Sequence, residues 1–343
     1  MDEFLKNLIR TRGAIDVGEF MALALGHPTL GYYMKQDPFG KGGDFTTAPE
    51  ISQMFGEMIA AWVMDIWQQM GEKEFVLLEC GPGRGTLMAD IMRATKNVPG
   101  FHDAAQVHLM EISPVLRSMQ GAALAAHDPQ WHANLGTVPD MPMIVIANEF
   151  LDALPVRQLV KSIDGWSERV VGIEDDKFVF QTRMLPLNIP VEAKHGDIFE
   201  ISPARSGFIT DLTKKLNGAA LIIDYGHTVS GIGHTLQAMK DHKFVSPLEF
   251  IGDADLTTHV DFFAVKQAAE AAGGTVFGPV EQGRFLNATG IATRADVLKA
   301  KASEVQKFDI EKALHRLTDS SQMGSLFKVM GITNGQALRP AGF

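Results

Sequence analysis

The chain has 343 residues, of which 45% are hydrophobic and 21% charged, with a formal charge of −10 and a pI of about 5.6. This composition suits a globular protein with a sizeable core, either two domains or one large domain with an insertion. The acidic balance, with no Lys/Arg cluster, argues against a nucleic-acid or anionic-membrane surface; no apolar run approaches the roughly 20 residues of a membrane span.

Residues 1–25 are predicted helical. Phe4, Leu5, Leu8 and Ile9 share one face, and the pattern repeats from Val17 to Leu25. The opening MDEFLKNLIR carries acids and no apolar core, so it reads as neither a signal nor a transit peptide, and the chain reads as bacterial and cytoplasmic. GYYMKQDPFGKGGDFTTAPE, residues 31–50, is predicted to be a long loop, and its length suggests a lid. Within it Asp44, Thr46, Thr47 and Glu50 are candidate site walls: Thr47 toward a cofactor, Asp44 and Glu50 toward a substrate. A solvated loop is the competing reading. Residues 51–70 form an apolar helix containing Met54, Ile59, Trp62 and Trp67.

Strands then alternate with helices. Strands are predicted at 75–80, 107–111 and 143–147, with helices at 86–94 and 114–126. This rhythm implies parallel βαβ units and an α/β, doubly wound fold. From 156 to 183 three β-like pieces are separated by the turns Asp164-Gly165 and Asp175-Asp176, which reads as an antiparallel insertion. Alternation resumes with a helix at 206–216, a strand at 219–224, a helix at 261–272 and a strand at 274–280. Residues 291–320 read as helical and 326–332 as a last strand. The organisation expected is a helical cap with a lid loop over residues 1–70, then a core over 71–343 with an insertion at about 156–205.

The first βα turn reads ECGPGRG, and Gly81, Gly83 and Gly85 follow a buried strand. Glycine admits positive φ and lets the backbone approach a ligand, so the turn is either a cofactor cradle or an ordinary tight turn. Glu111, at the end of the next strand, suits the two hydroxyls of an adenosine ribose. The spacing is G-x-G-x-G and not G-x-G-x-x-G, G-K-[ST] is missing, and Glu79 precedes the glycines. A carboxylate there repels a pyrophosphate but favours a cation such as the ammonium of S-adenosylmethionine, which is therefore the predicted cofactor. Cys80 lies inside the strand pattern as a packing residue. The eleven scattered histidines offer no ligand spacing, so no metal is predicted.

The strand at 143–147 runs into NEFLDALP, residues 148–155. Asn148, Glu149 and Asp152 crowd this turn at the carboxyl edge of the sheet, where open α/β folds bind ligands; an N-capping turn is the alternative. A guanidinium is protonated and delocalised, and paired carboxylates such as Glu149 and Asp152 could clamp it and accept its proton. Asn148, Glu149 and Asp152 are thus the candidate catalytic residues, Asn148 also facing the cofactor. Asp224, at the end of a later strand, and Arg284, in EQGRFLNATGI, are candidate substrate contacts.

Taken together, DFTTAPEISQMFGE, ECGPGRGTL, EISP, NEFLDALP, IDYG, DLTTHVDF and QGRFLNATGI, in this order along the chain, strongly resemble the complex I assembly-factor methyltransferases of bacteria and mitochondria. The resemblance implies a Rossmann-like, class I, S-adenosylmethionine-dependent methyltransferase. Its mitochondrial members symmetrically dimethylate an arginine of a core peripheral-arm subunit of complex I (NADH dehydrogenase), so it implies that kind of protein partner. By resemblance Gly81, Gly83 and Gly85 would border the cofactor, Glu111 would bind its ribose, and Asn148 and Glu149 would face the transfer site. Two other readings stay open: methylation of a small molecule or another side chain, and an assembly chaperone that binds the cofactor without chemistry.

Overall fold

The structure is a computed structural model, and it describes residues 1–35, 47–185, 189 and 191–343. The chain opens with α1 (Asp2–Arg12), β1 (Ile15–Asp16), α2 (Val17–Gly26) and α3 (Tyr32–Lys35), followed by α4 (Ala48–Ile51) and α5 (Gln53–Gln69). The alternating segment runs β2 (Phe75–Cys80), α6 (Thr86–Ala94), α7 (Phe101–Ala104), β3 (Ala105–Met110), α8 (Pro114–Ala123), β4 (Gln130–His132) and β5 (Met143–Asn148). A meander follows: β6 (Arg157–Ser162), β7 (Gly165–Glu174), β8 (Lys177–Met184) and β9 (Ile198–Ile201). Then come α9 (Pro203–Lys215), β10 (Gly218–His227), β11 (Gln237–Lys240), β12 (Lys243–Val245), β13 (Asp255–Thr257) and β14 (Val260–Asp261). The chain ends with α10 (Phe262–Ala271), β15 (Thr275–Glu281), α11 (Gln282–Ala288), α12 (Ile291–Lys299), α13 (Glu304–Thr318), α14 (Met323–Leu326) and β16 (Phe327–Asn334).

The main sheet has the order β15-β16-β10-β5-β2-β3-β4. Neighbouring strands from β10 to β4 are parallel, and β16 runs antiparallel between β15 and β10. The doubly wound reading holds, with one reversed strand. FVLLEC in β2 and MIVIAN in β5 are buried throughout, as expected of strands covered on both faces. Alternation sorts their side chains. Leu77, Ile144 and Ile146 pack with α5 and α6 on one face; Val76, Leu78 and Val145 pack with α9 and α10 on the other.

The predicted insertion is a separate antiparallel sheet, β1-β7-β6-β9 with β8 on β7, and it recruits β1 and β9 from outside the predicted pieces. A second small sheet, β12-β11-β13, was not expected. Its strands of three or four residues are too short to show a period. Both sheets share an apolar cluster with α1 and α2 through Leu5, Phe20, Val171, Ala238 and Leu256.

The register aligns the strand ends that matter. Cys80 pairs with Met110 on one side and Ala147 on the other, and Ile223 pairs with Asn148. The turns after β2, β3 and β5 and the end of β10 therefore lie along one edge. The strand order also reverses between β2 and β5, the place where a doubly wound sheet opens a crevice.

Candidate active site

A cavity of about 760 Å³ lies over this edge. Its walls come from the glycine turn, the ends of β3 and β5, α2, and the strands β10, β11 and β13.

The glycine turn needs its glycines. Gly81, Gly83 and Gly85 have φ of 65°, 54° and 83°, and Gly85 caps α6. A Cβ on Gly81 would sit 2.9 Å from Phe150 Cδ2. Glu79, in β2 just before the turn, lines the cavity yet is only 3% exposed, and its Oε2 has no hydrogen-bond partner. Burial pushes its pKa up to about 8, against a smaller opposing pull from the backbone N–H of Met88. A buried carboxylate with a free oxygen recovers its charge most readily beside a cation.

Glu111 is held at the end of β3. Its Oε1 accepts the backbone N–H groups of Ile112 and Ser113 at 2.7 and 2.8 Å, while burial raises its pKa. Gln120 on α8 ties this loop to the glycine turn. It donates to the Gly83 carbonyl at 2.7 Å and accepts from Trp131 Nε1 at 2.8 Å. Ser113 caps α8 ahead of Pro114, fixing where the chain turns.

The turn after β5 carries the second group of acids. Glu149 has φ of 51°, in the left-handed region that is uncommon for a residue with a side chain, so the chain turns sharply as it leaves β5. Its Oε1 accepts from the Ala48 backbone N–H at 3.1 Å and from Asn148 Nδ2 at 3.2 Å. Burial first, then neighbouring Asp152, raises its pKa to about 7. Asp152 is 6% exposed; its Oδ2 accepts from the Tyr225 hydroxyl at 2.8 Å, its Oδ1 has no partner, and burial raises its pKa. Asn148 Oδ1 is also without a partner. Thr47 precedes α4 and lines the cavity, as does Glu50, whose Oε1 accepts from Thr86 Oγ1 at 2.6 Å and so joins α4 to α6.

Most of the residues expected in a site thus meet here: Glu79, Gly81, Gly83, Glu111, Asn148, Glu149, Asp152, Thr47 and Glu50 all line the cavity. Gly85 stands behind, as the helix cap. Two expectations are corrected. Asp224 does not line the cavity; it is fully buried, with Oδ2 accepting from the backbone N–H groups of Leu151 and Asp152 and Oδ1 from that of Tyr225. Arg284 is exposed on α11 and also stands away from the cavity, because Gln282, Gly283, Phe285 and Leu286 take that helix's buried face. Asp44 and Thr46 lie outside the described residues.

The sequence reading passed over Tyr33, Tyr225, Asp255 and Arg205. Arg205 on α9 is 5% exposed and donates to the carbonyls of Leu151, Asp152, Thr258 and His259, pinning the β5 turn to the chain before β14. Only Tyr225 and Asp255 carried a local signal, standing at the polar ends of strands. Among the described residues no cluster of three or more metal-binding side chains occurs, and no helix is long and apolar enough to cross a membrane.

Residues 58–280 match a family model described as "Putative S-adenosyl-L-methionine-dependent methyltransferase". The chain is 35% identical to the mitochondrial protein arginine methyltransferase NDUFAF7 homolog of Drosophila melanogaster, over 96% of this chain and 84% of that protein. It is 33% identical to mitochondrial NDUFAF7 of Homo sapiens, over 96% and 82%. A crystal structure from Burkholderia thailandensis, bound to S-adenosyl-homocysteine, superposes with a TM-score of 0.87 at 30% identity, covering 99% of this chain and 93% of that one.

Proposed function

This chain belongs to the S-adenosyl-L-methionine-dependent methyltransferases, and from that premise we propose that it methylates an arginine side chain of a protein, a core subunit of complex I being the client. The names of its relatives support arginine as the acceptor. The observation that carries the reading is the pair Glu149 and Asp152, a half-buried and a buried carboxylate on one turn facing a cavity, the second with an unpartnered oxygen.

The residues present fit the cofactor. Glu79, whose Oε2 has no partner, would hold the ammonium of the methionyl tail, Gly81 and Gly83 would leave room for it at the turn, and Glu111 would accept the ribose hydroxyls. Thr47 and Asn148 complete the wall on the transfer side. Bound S-adenosylmethionine supplies a methyl group on a sulfonium, the C–S bonding pair staying on sulfur as the new N–C bond forms.

The chain's own work is on the acceptor. A free guanidinium is a poor nucleophile because its charge is shared over three nitrogens. Glu149 and Asp152 hold it by charge-assisted hydrogen bonds, localise that charge and align one nitrogen. Glu149, with a pKa of about 7, takes the proton the nitrogen gives up. Asn148 orients Glu149 through its amide. We place the protein in the bacterial cytoplasm, whereas the relatives above are named mitochondrial.

Intact-mass and fragment spectra of complex I subunits, from cells with and without this protein, test the proposal. A methylated arginine present only in cells that make it is expected. Identical spectra would refute the client.

A further inference from the structure

The cavity wall holds two matched pairs. The Tyr225 hydroxyl donates to Asp152 Oδ2, and the Tyr33 hydroxyl donates to Asp255 Oδ1, each at 2.8 Å. All four residues line the cavity, and the pairs come from four separate elements: β10, the β5 turn, α3 and β13. The two pairs share one cavity, and the Asp152 charge is felt at the Tyr33 hydroxyl as well as at Tyr225. A phenol that donates its O–H hydrogen bond to a carboxylate keeps its oxygen lone pairs as acceptors. Both phenols are pushed well above their ordinary value by burial and by these carboxylates, so both stay neutral. Asp152 Oδ1, on a residue 94% buried, has no partner. Arg84 is the only Lys or Arg along the cavity walls among the described residues, and it belongs to the glycine turn. Leu25, Met239 and Phe244 supply apolar wall.

Resting on the arginine reading above, we propose that Tyr33 and Asp255 form a specificity-determining clamp for a planar, delocalised cation. A guanidinium spreads five N–H donors around one plane. It can meet Glu149 and Asp152 along its reacting edge and the Tyr33–Asp255 pair along another, with its alkyl stem on the apolar wall. A lysine ammonium concentrates three donors at one tetrahedral nitrogen and reaches one pair at a time. The clamp therefore selects arginine over lysine, and it does so from α3 and β13, with residues 222 positions apart in sequence.

The test uses the full chain saturated with S-adenosylhomocysteine and titrated calorimetrically with N-acetyl-arginine methylamide and N-acetyl-lysine methylamide. Wild type should prefer the arginine compound by about tenfold or more. Asp255→Asn should bring the two affinities within about threefold, and Tyr33→Phe should move them the same way by less, with affinity for S-adenosylhomocysteine unchanged in both. If both variants keep the full preference, the clamp is refuted and the arginine reading stands. If wild type shows no preference, the arginine reading falls and the clamp with it.

Discussion

Asp224 fixes Asp152 from beneath: its Oδ2 accepts the Asp152 backbone N–H at 3.1 Å and that of Leu151 at 3.0 Å. The side chain that looked like a substrate contact is what shapes the turn carrying Glu149 and Asp152. Its other oxygen accepts from the Tyr225 backbone N–H at 2.9 Å, so it also sets the start of the Tyr225–Asp152 pair. Asp224→Asn presents an NH₂ to one of these donors. We expect a loss of about 1–3 kcal/mol in stability by denaturant titration, and methyl transfer lowered more than cofactor affinity. Equal loss of both would show that the turn does not act on the acceptor side.

Glu79 predicts a proton. With a pKa of about 8 it is largely protonated in the free protein at pH 7, and a bound ammonium favours the charged form. Binding of S-adenosylmethionine at pH 7 should release close to one proton, read from calorimetry in buffers of different ionisation enthalpy. Glu79→Gln should abolish the release and weaken binding about 10- to 100-fold. The same residue makes a stability prediction. Its folded pKa lies above the ordinary 4.5, so the stabilising effect of the neutral form is complete below that value and is lost as pH rises toward about 8. The ligand-free Gln variant should therefore gain on wild type in unfolding free energy between pH 5 and 8, by an amount on the order of a few kcal/mol, read from denaturant titrations across that range. A gap that stays flat with pH would contradict the placement of Glu79.

At Gly81 the φ of 65° and the 2.9 Å approach of Phe150 leave no room for a methyl group. Gly81→Ala should fold, at a cost of about 1–3 kcal/mol, and should lose affinity for S-adenosylhomocysteine as the turn shifts. Unchanged affinity would mean that the turn does not carry the cofactor.

The sequence disclosed the sheet and half the site for a physical reason. FVLLEC and MIVIAN are apolar throughout because parallel strands are covered on both faces, and the residues that end such strands meet at one edge whatever the loops do. Glu79, Glu111, Glu149 and Asp152 were legible on that rule alone. Asp224 sits at the same edge, but its oxygens turn inward to backbone N–H groups, which only the path of the neighbouring turn decides. Arg284 went astray because its helix face was unknown. Tyr33 and Asp255 touch only when α3 and β13 are brought together, and no local pattern encodes that meeting.

Glu149 bears the central claim. Its pKa of about 7 in the free protein, set by burial and Asp152, predicts that transfer to limiting acceptor falls as pH drops through about 7, because the protonated carboxyl neither draws in the guanidinium nor accepts its proton. The most direct test is single-turnover transfer from S-adenosylmethionine to the complex I peripheral-arm subunits of cells lacking this protein, comparing wild type with Glu149→Gln from pH 5.5 to 9. Wild type should transfer with that acidic limb, and the variant should be slower by about 10²- to 10⁴-fold with S-adenosylhomocysteine bound as before. A variant that transfers at the wild-type rate, with the same limb, would contradict the account.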